Sequence, residues 1–240
     1  MRVTLATGRT LTGANNTLSV IGDLGSTPVI LYNGSLVIQP GPKTVIAHRQ
    51  IPMGLSNTIL AASVNSDADL FIYVVRTDEI GLANKLDEWE TVYFSGRGSP
   101  PETEFNGMPV FPLPKSTIDV PVTAMLVLLK PGRDYSDLKN ELLLLNGISI
   151  TSSGNRYIEI RPAGSSKAAG MQDVIRGLGL QQRDVLAVGD NDNDVELLNW
   201  AGIGIAVQGA SPAALAASNY LSHFGAELCD LKRIKRRNAY

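Results

Sequence analysis

Apolar and polar positions follow two rhythms along this chain. Near the start, residues 2–7 read as a buried strand, Leu11, Ala14, Leu18, Ile21 and Leu24 recur at helical spacing, and 29–32 is strand-like again. The same alternation returns after Pro162-Ala163-Gly164, with helix 165–178, strand 184–188, helix 192–201, strand 203–207, helix 211–217 and strand 220–222. Strand and helix alternating in this way predict an α/β fold with a Rossmann-like, doubly wound parallel sheet, in which ligands bind at the carboxyl ends of the strands.

The middle of the chain has another character. Short strands at 36–38 and 44–47, a helix over 55–64, a strand at 70–75 and a helix over 78–88 precede a Pro/Gly-broken stretch at 96–114, expected to be a wandering loop or edge segment. Strand 122–129, helix 136–145 and strands 148–151 and 157–160 complete the block. The expected organisation is a discontinuous core, 1–36 with 162–240, carrying an inserted α+β module at 37–161.

Composition narrows the function classes. Lys plus Arg is 21 against 23 for Asp plus Glu, and a net charge of -2 gives no global field to gather nucleic acid or acidic membranes. The basic residues Lys232, Arg233, Lys235, Arg236 and Arg237 are expected on a last helix or tail, as a solvated end rather than a nucleic-acid patch. A single cysteine, Cys229, excludes an internal disulfide framework, and no apolar run reaches the roughly 18 residues of a spanning helix. The expectation is a cytoplasmic protein, monomeric or a weak homo-oligomer, that recognises anions locally and engages neither nucleic acid nor membrane.

Three polar clusters fall at strand-to-helix junctions: Thr7-Gly8-Arg9, Ser165-Ser166-Lys167 and Asp190-Asn191-Asp192-Asn193-Asp194. In a doubly wound layer such junctions are expected along one edge. Arg9 and Lys167 each stand in or beside the first turn of a helix, where a cation opposes the macrodipole; either could simply face solvent, but two together suggest an anion between them. The crowded aspartates repel one another unless a cation or several donors sit among them, although Asp and Asn are also favoured as helix caps. A calcium loop is excluded because Val195 and Ala201 stand where its Gly and Glu belong. Ala14-Asn15 stands where a Walker loop needs Lys and Ser or Thr, and Gly177-x-Gly179 lacks the third glycine of a dinucleotide fingerprint. With two histidines, His48 and His223, there is no zinc spacing.

In this order the junctions resemble the haloacid dehalogenase superfamily, and within it the Cof-type phosphatases with an inserted α/β cap. The resemblance spans nearly the whole chain. It rests on Leu5-Ala6-Thr7-Gly8-Arg9, on Val29-Ile30-Leu31-Tyr32-Asn33-Gly34, on Ile158-Glu159-Ile160-Arg161-Pro162-Ala163-Gly164-Ser165-Ser166-Lys167, and on Gly189-Asp190-Asn191-Asp192-Asn193-Asp194, which looks like the motif Gly-Asp-x-x-Asn-Asp. It implies a Mg²⁺-dependent hydrolase of small phosphorylated metabolites that works through an aspartyl-phosphate. By position, Thr7, Gly8 and Arg9 would surround the phosphoryl group, with Asn33 and Gly34 at the cap hinge near the substrate. Lys167 would stabilise charge, Asp190 would bind Mg²⁺, and Asn193 and Asp194 would complete or support that site.

One element of the family pattern is missing. The Asp-x-Asp-Gly-Thr motif, which supplies the nucleophile, belongs on a strand before Thr7, and the chain has no acidic residue before Asp23. The expectation is therefore an N-terminally shortened form, lacking one βα unit and inactive by itself. The alternative is a phosphate- or phosphosugar-binding protein that has discarded catalysis.

Overall fold

A computed structural model describes residues 2–21, 27–78, 89–153, 156–222 and 234–236. The chain forms two compact units, Met1–Ser165 and Ser166–Tyr240.

The first unit is built on a six-stranded sheet. Its strands are β4 (Asp69–Val75), β5 (Glu90–Ser95), β6 (Val110–Pro112), β7 (Ala124–Leu128), β8 (Ile148–Ser153) and β9 (Tyr157–Pro162), arranged β6-β5-β4-β7-β9-β8. Strand β4 reads Asp-Leu-Phe-Ile-Tyr-Val-Val, apolar at nearly every position, because both faces of the sheet are covered. On one face Leu70, Ile72 and Val74 pack with Ile59 and Leu60 of helix α2 (Met53–Asn65) and Leu138 and Leu142 of α3 (Ser136–Leu143). On the other, Phe71, Tyr73 and Val75 pack with Leu11 and Ala14 of α1 (Leu11–Ile21), Val29 and Leu31 of β1 (Val29–Leu31), and Leu36 and Ile38 of β2 (Leu36–Gln39). Each fully buried Leu or Ile contributes roughly 1.5–3 kcal/mol. Strands β1, β2 and β3 (Thr44–His48) form a small antiparallel sheet.

In the second unit, β10 (Leu186–Gly189), β11 (Ile203–Ala206) and β12 (Tyr220–Ser222) run parallel. Helices α4 (Lys167–Leu178), α5 (Val195–Trp200) and α6 (Pro212–Ala217) alternate with them in sequence. Gly204 is required at its position, since a Cβ there would meet the Leu198 backbone of α5.

Several predicted elements take another form. The strand expected over 2–7 is an extended segment with a single bridge, Ala6 to Ile30, held by Ile30 N–H to Leu5 O and Thr7 N–H to Ile30 O, both at 2.9 Å. The stretch 96–114 is less irregular than expected, because Val110–Pro112 pairs parallel with β5. Strand β5 itself was not expected; its buried Glu90, Val92 and Phe94 alternate with half-buried Thr91, Tyr93 and Ser95, a period of two. The helix of 192–201 starts as a 3-10 turn, Asp192–Asp194. In the basic C-terminal run, expected to be helix or tail, Ile234–Arg236 is a strand, β13, pairing antiparallel with β12. The helix predicted over 78–88 lies, from 79 on, outside the described residues, as do Leu24, Cys229, His223, Lys232, Arg233 and Arg237.

Candidate functional site

In the first unit the Thr7-Gly8-Arg9 loop lies against the turn after β1. Asn33 N–H donates to Thr7 O at 3.0 Å and Tyr32 N–H to Arg9 O at 3.2 Å, so the two segments are laced together by main chain. Thr7 Oγ1 accepts from Arg9 N–H at 3.2 Å, which orients the hydroxyl and leaves its proton free to donate. Gly8 has no room for a side chain, since a Cβ would stand 2.8 Å from Asn33 Nδ2. Arg9 is exposed, with Nη1 donating to Gly13 O at 3.4 Å.

The turn carrying Asn33 and Gly34 is strained. Tyr32 and Asn33 both have φ of 50°, and Gly34 has 88°. Asparagine and glycine tolerate the left-handed region, whereas tyrosine there costs roughly 1–3 kcal/mol. Surrounding contacts over-determine it: Tyr32 Oη donates to Glu90 at 2.7 Å and its ring meets Tyr73 edge-on at 5.9 Å. Burial, then the adjacent Glu90 carboxylate, pushes the Tyr32 phenol well above its ordinary value, so it stays a neutral donor. Asn33 Nδ2 donates to Glu159 Oε1 at 2.5 Å, and Arg49 Nη1 donates to Gly34 O at 3.1 Å.

Glu90 is the residue that ties this arrangement together. Besides Tyr32 it accepts from Leu11 N–H at 2.9 Å and from Thr12 N–H and Oγ1, each at 3.2 Å, so it caps α1 from the facing strand of the sheet. Burial raises its pKa despite these hydrogen bonds, which pull the other way. Nothing in the sequence assigned Glu90 or Glu159 a role. Glu159 alternates with Ile158 and Ile160, a pattern that reads as a solvent-facing charge, and its half-buried contact with Asn33 follows from tertiary packing.

In the second unit, Lys167 opens α4, with Ser166 Oγ accepting from Ala169 N–H at 3.1 Å as the cap. Lys167 does not face solvent. It is 6% exposed, and its Nζ donates to Asp194 Oδ1 at 2.7 Å and to Asn193 Oδ1 at 3.4 Å. Asp194 Oδ2 accepts from the amides of Asp190 and Asn191, both at 3.1 Å, so it closes the turn as well as neutralising the lysine. The preceding Gly189 is forced, because a Cβ would lie 2.6 Å from that of Asp194. Asp192 Oδ1 accepts from Ser211 Oγ at 2.6 Å.

Asp190, by contrast, is exposed at the carboxyl end of β10, and its carboxylate makes no hydrogen bond to a described residue. A hard oxygen donor of this kind suits Mg²⁺, which takes one or two carboxylates and completes its shell with water and substrate phosphate. Asp194 is spent on Lys167 and the backbone, so its place is to support the turn. Among the described residues no group of three or more His, Cys, Asp or Glu side chains gathers, so the donor set here is partial.

The second unit carries a buried lysine and an uncommitted aspartate at one strand end, and the first carries a Thr-Gly loop beside a strained Asn-Gly turn. A profile of haloacid dehalogenase-like hydrolases matches residues 1–227, and the chain belongs to that family. YxeH of Bacillus subtilis, named as a phosphatase, is 24% identical over 230 residues, covering 92% of this chain and 79% of YxeH. Among solved structures, a haloacid dehalogenase-like hydrolase from Bacteroides thetaiotaomicron superposes with a TM-score of 0.74 at 21% identity, over 91% of this chain and 80% of that one. The sugar phosphatase BT4131 gives a TM-score of 0.71 at 20% identity, over 92% and 80%. No helix among the described residues is long and apolar enough to cross a membrane.

Proposed function

We propose that this protein handles small phosphomonoesters as a Mg²⁺-dependent phosphatase, and that these 240 residues supply its phosphate-binding and metal-binding parts. The observation that carries the reading is the buried Lys167–Asp194 pair on the same turn as an uncommitted Asp190. In the second unit Lys167, held in place by Asp194, would stabilise phosphoryl charge; in the first, the Thr7 hydroxyl and Gly8 amide would bind phosphate oxygens, with Arg9, Asn33 and Gly34 alongside. Asp190 would hold Mg²⁺ with help from Asn193, and the ion, when bound, supplies Lewis-acid polarisation of a phosphoryl oxygen. The module 37–161 acts as the cap that selects a small phosphorylated metabolite, and the protein works as a monomer or weak homo-oligomer. That YxeH is named a phosphatase and BT4131 a sugar phosphatase supports the reaction class.

The chain contains no Asp-x-Asp-Gly-Thr run, so the nucleophile is assigned to sequence outside these 240 residues. The 240-residue chain is expected to leave p-nitrophenyl phosphate intact, and a chain extended by its upstream coding sequence to hydrolyse it with Mg²⁺. Robust turnover by the 240-residue chain would overturn the assignment of the nucleophile. Sugar-phosphate binding without turnover by the extended chain would instead favour a non-catalytic binding protein.

A further inference from the structure

Arg161 sits on β9, two residues beyond Glu159, and is 5% exposed. Its Nε is buried without a hydrogen-bond partner, and among the described residues its guanidinium enters no ion pair. A buried, permanently charged fork is normally paired, because desolvating it is costly. The nearest acid along the strand, Glu159, gives its oxygens to Asn33 Nδ2 at 2.5 Å and Thr151 Oγ1 at 3.4 Å. The buried acids on this side of the sheet are committed to neutral donors as well: Glu104 to Asn106 and Tyr73, Glu90 to Leu11, Thr12 and Tyr32. Two further buried groups on neighbouring segments lack partners, Ser35 Oγ just after the Asn33-Gly34 turn and Ser165 Oγ four residues past Arg161.

The position of Arg161 says what it could serve. Gly8 is pressed against Asn33, Asn33 is bonded to Glu159, and Glu159 and Arg161 share one face of β9 about 7 Å apart along the strand. Opposite Arg161 across the ladder is Ser149, a short side chain that brings no carboxylate to the guanidinium. The unpaired cation thus stands one residue pair from the turn that abuts the proposed phosphate loop.

We propose that Arg161 is a specificity determinant that binds a second anionic group, a carboxylate, on the phosphomonoester whose phosphate lies at Thr7-Gly8. A planar guanidinium meets a carboxylate through two parallel hydrogen bonds, and the ligand would provide the countercharge that the fold withholds. The inference rests on the phosphate-binding reading above, and the experiment separates the two.

Calorimetric titration of the 240-residue chain with 2-phosphoglycolate and with ethyl phosphate compares two esters of similar size, one ending in a carboxylate and one in a methyl. The wild-type chain should bind 2-phosphoglycolate about tenfold more tightly, equivalent to about 1.4 kcal/mol. Arg161→Gln should abolish that preference while keeping ethyl phosphate affinity within about twofold, and Arg161→Lys, which keeps the charge but loses the fork, should retain part of it. Should Arg161→Gln fail to fold, Arg161→Lys decides. Equal binding of both esters by wild type, or an undiminished preference in either folded variant, overturns the role of Arg161. Failure of wild type to bind either ester overturns the phosphate site itself, and this inference with it.

Discussion

Asp194 and Glu90 are both buried carboxylates that gather backbone amides at the start of a helical segment, yet they are built in opposite ways. Asp194 takes the amides of Asp190 and Asn191, three and four residues away, and is neutralised by Lys167 at 2.7 Å. Glu90 takes amides and a hydroxyl from Leu11 and Thr12, 78 and 79 residues away, and has a neutral phenol where Asp194 has a cation. The first is a local turn whose countercharge, Lys167, comes from the start of α4. The second is a long-range clamp that joins a helix start, a strained Tyr32-Asn33-Gly34 turn and a sheet edge, and holds them only while the whole unit is folded. A compensated pair can present charge to a ligand at neutral pH, whereas an uncompensated buried acid serves position.

Breaking the compensated pair should have the larger effect. Lys167→Met leaves Asp194 buried without its cation, and unfolding in denaturant should show a loss of about 3–5 kcal/mol, together with lost phosphate binding. A loss below about 1 kcal/mol would mean that the pair behaves like a surface contact. Removing the clamp should cost less. Glu90→Gln keeps one acceptor but turns an amide toward donors, and about 1–3 kcal/mol is expected.

The clamp at Glu90 also carries a pH dependence. Burial raises the Glu90 pKa in the folded state, so between the unfolded and folded values the native protein binds more protons, and stability falls as pH rises through that window. The advantage of wild type over Glu90→Gln should therefore be greatest below about pH 4 and shrink as pH rises toward neutrality. A difference that grows with pH would show that the hydrogen bonds outweigh burial.

The same contrast explains what the sequence revealed. The Asp190 to Asp194 turn, the Ser166-Lys167 helix start and the Thr7-Gly8 loop were legible because cap, glycine and charge lie within a few residues of what they act on. Even there, spacing alone left open whether Lys167 faced solvent, and the burial that answers it comes from packing of α4. Glu90, Glu159 and Arg161 were invisible as site residues because their partners are set by strand register. Strand β5 went unread beside a Pro/Gly-rich stretch although its alternation is regular. The resemblance to haloacid dehalogenase enzymes, carried by the local motifs, is matched by the family profile over residues 1–227.

Asp190, the uncommitted carboxylate of the compensated turn, is the proposed Mg²⁺ ligand. Calorimetric titration of Mg²⁺ into the 240-residue chain with inorganic phosphate present tests it most directly, alongside Asp190→Asn. Weak, saturable Mg²⁺ uptake by wild type and none by Asp190→Asn is the predicted result; equal uptake by the two proteins, or none by either, would contradict it.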